Sequence, residues 1–253
     1  MGYRILYSCV SHPGKVRRVN QDNFICNGKY LQIEGGNLSF PLCGTCVSAD
    51  NPLFGIFDGM GGEQCGEVAA YIAALRASTL AVHGDGQKAL AAFCQRTNQA
   101  ICNFSARNGV SSAGTTAAML LFGKKLILCN IGDSKVFRFR CGELEQLSTD
   151  HVCMAPFGVK PPLSQNLGIP PEETKIEPYF LKTAYAAGDV YLICSDGLTD
   201  MLANEEIKNV LASVPAESAA EQLLEQALEK GGKDNTTIIL CKVEKEPHGL
   251  FRR

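Results

Sequence analysis

At 253 residues the chain is long enough to bury a substantial core, and one large domain over 1–245 with a short tail over 246–253 is the expected organisation. Hydrophobic residues at 45% and charged residues at 20% exclude a disordered chain. A formal net charge of -2 supplies no global basic field, and no apolar run is long enough to cross a bilayer, so neither nucleic acid nor membrane is an expected partner.

In chain order, extended segments come first: Tyr3–Cys9, Asn23–Cys26, Tyr30–Ile33 and Phe54–Phe57. Two helices follow. Glu67–Val82 carries Ala, Ile and Leu at helical spacing, with Gly84 and Gly86 behind it. Gln87–Asn108 sets Leu90, Phe93, Cys94, Asn98 and Ile101 on one side. Then come Thr115–Phe122, Lys125–Asn130, Val136–Arg140 and Glu143–Leu147, read as strands with Cys141-Gly142 as the last turn. Thr149–Pro178 is loop-rich, with no period. A strand at Val190–Cys194, helices at Asn204–Ser213 and Ala216–Lys230, and a strand at Thr236–Val243 close the chain. This order predicts an α+β fold: a four-layer α-β-β-α sandwich, two antiparallel β-sheets flanked by helix pairs.

The twelve cysteines sit singly within apolar patterns, as Cys129, Cys194 and Cys241 do, which is how reduced thiols behave as small core residues. Met1–Leu6 has neither the apolar stretch nor the cleavage site of a secretion signal, so a reducing, cytoplasmic setting is expected. Cys43-Gly-Thr-Cys46 has no second ligand pair. It reads as a loop or hairpin with two incidental thiols, ahead of a zinc or redox site. His12, His83, His151 and His248 form no pair at metal-ligand spacing; His83 reads as a surface or capping residue, and His12 lies near the Arg17 segment.

The chemistry is carried by where the aspartates fall. Phe54-Gly-Ile-Phe-Asp58-Gly59 is an apolar strand ending in Asp-Gly, and Tyr191-Leu-Ile-Cys-Ser195-Asp196-Gly197 repeats the arrangement. Asp133 stands at a glycine break between strands, and Asp234 stands just before the last strand. Hard divalent cations take oxygen ligands, and strand ends hold carboxylates rigidly enough to converge. Any one Asp-Gly pair is more often a turn; four aspartates at strand ends strain that reading. Arg17-Arg-Val-Asn20-Gln21-Asp22 admits two readings, a phosphate clamp built on Arg17 or a polar inter-strand loop.

Six motifs together resemble the metal-dependent serine/threonine protein phosphatases of type 2C. They are Arg17–Asp22 (R-x-x-N-Q-D), Asp58–Gly62 (D-G-M-G-G), Ala113–Thr116 (A-G-T-T), Gly132–Ser134 (G-D-S), Ser195–Leu198 (S-D-G-L) and Asp234–Thr236 (D-N-T). The resemblance implies Mn2+ or Mg2+, two ions with a possible third. Asp58 would bridge two ions with the Gly59 carbonyl on one, Asp196 and Asp234 would complete the other, and Asp133 with Asp196 would form the third site. Arg17 would bind substrate phosphate, and Asp22 would orient water. Asp58, Asp196 and Asp234 are thus both metal ligands and catalytic residues, together with Arg17 and Asp22.

The implied activity is hydrolysis of phosphoserine or phosphothreonine in proteins by a metal-activated water, in a bacterial monomer that opposes a serine/threonine kinase. Ala113–Thr116 is read as the start of a central strand. Met60 stands where many members carry a histidine able to protonate the leaving group, Gln21 replaces a glutamate, Lys135 replaces an arginine, and Val152–Leu167 is a shortened flap. Two other readings stay open: a catalytically silent interaction module of the same fold, and a phosphatase of small phosphoesters.

Overall fold

The computed structural model describes residues 2–32, 34–60, 65–111, 113–156 and 158–246. Gly61, Gly62, Ile33, His248 and the tail beyond 246 lie outside them. The elements are β1 (Tyr3–His12), β2 (Asp22–Cys26), β3 (Leu42–Val47), β4 (Leu53–Met60), α1 (Gly66–Ser78), α2 (Gly86–Asn108), β5 (Gly114–Thr115), β6 (Ala117–Leu121), β7 (Leu126–Ile131), β8 (Lys135–Arg140), β9 (Glu143–Gln146), β10 (Tyr179–Thr183), β11 (Val190–Cys194), α3 (Asp196–Thr199), α4 (Asn204–Ser213), α5 (Ala216–Glu229) and β12 (Thr236–Lys245). One antiparallel sheet runs β3-β1-β12-β11-β8-β9; the other runs β10-β7-β6-β4-β2, with β5 paired onto β4.

Period-two alternation sorts each central strand between two apolar layers. On β7, Leu128 faces the layer between the sheets, while Ile127 and Cys129 face α1 and α2. On β11, Tyr191 and Ile193 face inward, while Leu192 and Cys194 face the α4–α5 side. Both faces of these strands are covered, which is why they read as continuous apolar runs. The expected four-layer sandwich is what forms. Phe122 anchors its middle, its ring meeting Phe54, Tyr185 and Tyr191 edge-on with centroids 5.8, 5.4 and 5.8 Å away.

Local chemistry explains the ends of several elements. Asp85 caps α2 by accepting from the Gln87 and Lys88 amides. Cys141 and Gly142, with φ of 52° and 81°, make the tight β8–β9 turn anticipated there. α1 stops at Ser78 instead of reaching Val82, because the Ser78 and Thr79 hydroxyls take up the Leu75 and Arg76 carbonyls. Tyr30–Gln32 is not a strand: the Asn23 side chain accepts from the Leu31 amide at 3.1 Å and donates to its carbonyl at 3.1 Å, doing the work of a pairing neighbour. β3 and β10 form where no strand was expected, each completing the open edge of β1 or β7.

β3 also settles the geometry of the Cys43–Cys46 pair. Three residues apart on a strand, the two side chains leave opposite faces: Cys43 is exposed, and Cys46 packs against the inter-sheet core. They cannot close on one metal or form a disulfide within that strand. Among the described residues no helix is long and apolar enough to cross a membrane.

One ion pair locks the far end of the first sheet. Arg140 donates Nε and an Nη to Asp189 at 2.6 Å each, and the Asp189 side chain is 2% exposed. Burial pushes the Asp189 carboxyl up, but Arg140, the Ala186 amide and Tyr191 together hold it below its ordinary value. The stabilisation is therefore complete above about pH 4 and lost as pH falls through the lower folded value. Asp189→Asn is expected to cost about 1–2 kcal/mol at pH 7, since Arg140 remains partly in water. Thermal melts from pH 7 down to pH 3 should show the gap to the unmodified protein closing; a gap of constant size would refute the assignment.

Candidate active site

The ends of β1, β4, β7 and β11 and the starts of β2, β8 and β12 meet at one edge of the two sheets. Here an open cleft of about 260 Å³ is lined by Arg17, Asp58, Gly59, Asp133, Asp196 and Asp234. Asp22, the remaining predicted site residue, lies behind it, paired in register with Asp58 and 3% exposed. The four cleft aspartates thus arrive from four separate strand ends.

Backbone packing sets each position. The Gly59 amide donates to the Gln21 carbonyl at 3.1 Å, and a Cβ at Gly59 would lie 2.3 Å from the carbonyl oxygens of Gln21 and Gly66, so only glycine fits. Asp58 is held at its backbone by Thr116, whose hydroxyl accepts the Asp58 amide at 3.1 Å and lies 2.6 Å from the Ser134 hydroxyl. Gly14, at φ 81°, lets the turn carrying Arg17 sit against the Gly232 and Asp234 carbonyls. The Arg17 guanidinium then rests on Asp234 at 2.8 Å with its side chain 53% exposed.

The electrostatics follow from crowding. Burial pushes the Asp58 carboxyl well above its ordinary range, and Asp22, Asp196, Asp133 and Asp234 push the same way. Burial raises Asp196 to about 6 against the pull of Lys160, with Asp133 and Asp200 adding to the rise. Asp22 goes to about 7 through burial, opposed by the Thr237 and Ser195 hydroxyls. Ser195 donates to Asp22 Oδ2 at 2.8 Å, while Asp22 Oδ1 is buried with no hydrogen-bond partner among the described residues. Burial also raises Asp133, against Lys160 and Lys135.

Carboxylates that raise one another in this way form a donor set suited to hard divalent cations. Among the described residues, however, no three side chains of His, Cys, Asp or Glu are placed to grip an ion as they stand. Arg17 occupies Asp234, and Lys160 occupies Asp196 together with Asp200. The donor chemistry fits a metal centre; the outer carboxylates are turned to cations of the chain itself.

The profile of the family described as protein phosphatase 2C matches residues 42–231. The chain belongs to the protein phosphatase 2C family. It is 32% identical over 224 residues to the serine/threonine protein phosphatase PstP of Mycobacterium tuberculosis, covering 80% of this chain and 42% of that protein. It is 28% identical over 211 residues to the protein phosphatase PhpP of Streptococcus pneumoniae, covering 75% and 85%. The crystal structure of the PstP catalytic domain in complex with two manganese ions superposes with a TM-score of 0.77 at 28% identity, covering 96% of this chain and all of that one.

Within this protein phosphatase 2C fold, several residues of the site escaped the sequence reading. Asn235 accepts from the Gln21 amide at 2.8 Å and donates to the Pro13 and Val19 carbonyls at 2.9 Å each, clamping the Arg17 segment to the start of β12. Its place in the Asp234–Thr236 motif was the available signal. Lys160 reaches the cleft from the 152–163 excursion, which is folded back by the Val152–Leu163 bridge; nothing local in the sequence marks it. Ala113–Thr116 does lead into β6 as expected, but Thr116 also lines the cleft. His12 serves its own turn, accepting from the Gly14 amide at 2.9 Å, and His151 accepts from the Gly132 amide at 3.3 Å beside Asp133.

Proposed function

We propose that this chain is a metal-dependent phosphatase of phosphoserine and phosphothreonine in proteins. The observation that carries the reading is the convergence of Asp58, Asp133, Asp196 and Asp234 on one cleft that also holds Arg17. In this reading residues 1–245 form the catalytic domain and 246–253 a tail, and the molecule works as a cytoplasmic monomer opposing a bacterial serine/threonine kinase. The chain spans 42% of the length of PstP and 85% of PhpP.

Asp58, the Gly59 carbonyl, Asp196 and Asp234 would hold two Mn2+ or Mg2+ ions, with Asp133 and Asp196 serving a third. When bound, such a pair neutralises phosphoryl charge and supplies a nucleophilic water near neutral pH. Arg17, largely in solvent, swings from Asp234 to grip two phosphate oxygens and fix the ester for in-line attack. Asp22, whose buried Oδ1 has no hydrogen-bond partner among the described residues, would orient a water behind Asp58. Met60 has no proton to give, so water or another group would protonate the leaving alkoxide.

Metal-stripped protein should hydrolyse a phosphothreonine peptide only when Mn2+ is added back, and Asp196→Asn should abolish the response. Absence of turnover with metal shown to be bound would sink the proposal.

A further inference from the structure

Beside the cleft lies a larger cavity of about 550 Å³, between the second half of α2 and the 166–173 segment. Met60 lines both, so the two open next to one another across one side chain. The cavity lining mixes apolar Met60, Val110, Ala113 and Ile169 with polar Gln99, Asn103 and Asn166, and it carries the exposed carboxylates Glu172 and Glu173. Among the described residues that line it, none is Lys or Arg.

The wall is built rather than loose. Asn98 on α2 donates to the Ile169 carbonyl at 2.8 Å and accepts from the Gly168 amide at 2.7 Å. Leu167 and Thr115 exchange backbone hydrogen bonds at 2.9 Å. Two groups inside register its character. The Cys102 thiol is pushed up by burial and then by the Glu172 and Glu173 charges, so both carboxylates act on the interior. The Ser105 hydroxyl is buried without a hydrogen-bond partner among the described residues.

The geometry points to this cavity as the subsite for a basic side chain, Lys or Arg, that flanks the phosphorylated residue of a protein substrate. This rests on the cleft being the phosphate site. The two neighbouring sites then have opposite polarity: the phosphate meets Arg17, and the flanking cation meets Glu172 and Glu173. A long basic side chain suits a lining that offers both apolar residues and exposed carboxylates, since its methylene stem packs on the former while its charged head meets Glu172 and Glu173.

Three dye-labelled phosphothreonine peptides test this, with Lys-Arg before the phosphorylated residue, with Lys-Arg after it, or with alanine on both sides. With Mn2+, one basic peptide should exceed the alanine peptide in kcat/KM by about tenfold through KM, the order expected for two partly exposed charge contacts. The ratio between peptides, taken within each variant, cancels losses common to both. It should fall below about twofold in E172Q/E173Q and drop under one in E172K/E173K. Added salt should shrink it.

Turnover of the alanine peptide with no preference for either basic peptide, or a preference that survives charge reversal, overturns the subsite. Anisotropy without added metal reads the same cavity independently of turnover. If no peptide is hydrolysed but a basic peptide binds more tightly and the reversal inverts the order, the subsite stands and the phosphatase reading falls. Equal binding by all three peptides, in a protein that hydrolyses none, removes both.

Discussion

Asp58→Asn is expected to lower Mn2+-dependent hydrolysis of a phosphothreonine peptide by at least about 10³-fold, roughly 4 kcal/mol of transition-state stabilisation. The same change should leave the metal-free protein no less stable at pH 7, with a melting temperature equal to or a few degrees above that of the unmodified protein. The reason for the contrast lies in the crowding of the cleft. Among the described residues no side chain hydrogen-bonds to the Asp58 carboxyl; its own burial and four neighbouring carboxylates disfavour its charge. An amide of the same shape relieves that conflict and keeps the backbone bonds to Thr116 intact.

Metal should separate the two proteins. At about one hundred times the dissociation constant, Mn2+ adds about 2.7 kcal/mol to the unmodified protein, a rise of about 5–10 °C at this size. The variant should lose most of that rise. Retention of both the metal-induced shift and the turnover would remove Asp58 from the centre. A large fall in metal-free stability would mean instead that Asp58 is a structural residue.

Asn235→Ala should produce the largest loss of stability among the changes considered, about 3 kcal/mol, or a fall of about 6–12 °C in melting temperature. Asn235 is 5% exposed, and its removal leaves the Gln21 amide and the Pro13 and Val19 carbonyls without their partners. Those three groups bracket the turn carrying Arg17, so the variant also loosens the guanidinium. A fall in kcat/KM of about tenfold or more is expected even at temperatures where the variant is fully folded.

Asn235→Asp sharpens the test. It keeps the acceptor for the Gln21 amide but loses both donations, so its melting temperature should fall short of the unmodified protein by most of the alanine effect. A melt indistinguishable from the unmodified protein for both variants would show that the clamp carries no energy.

Much of this architecture is legible because local sequence encodes burial period and turn chemistry. The apolar runs at Phe54–Phe57, Leu126–Ile131 and Val190–Cys194 are strands, and the helix expected over Gln87–Asn108 is α2, one residue longer at its start. Asp58, Asp133 and Asp196 were legible for the same reason: each sits beside a glycine at a strand end, and a strand end commits its side chain to one edge of the sheet.

What tertiary structure alone decided is which backbone edges and charges from distant segments meet. β3, with Cys43, Gly44 and Thr45, has little apolar alternation and becomes a strand because β1 offers an unpaired edge. Tyr30–Gln32 has the composition of a strand and is not one, because the Asn23 side chain satisfies its backbone first. Lys160 meets Asp196 across 36 residues of sequence, and Arg17 meets Asp234 across 217. Periodicity reports the neighbours a few positions away, whereas these pairings depend on the three-dimensional closure of the sheets, which brings carboxylates, cations and the cavity carrying Glu172 and Glu173 to one edge.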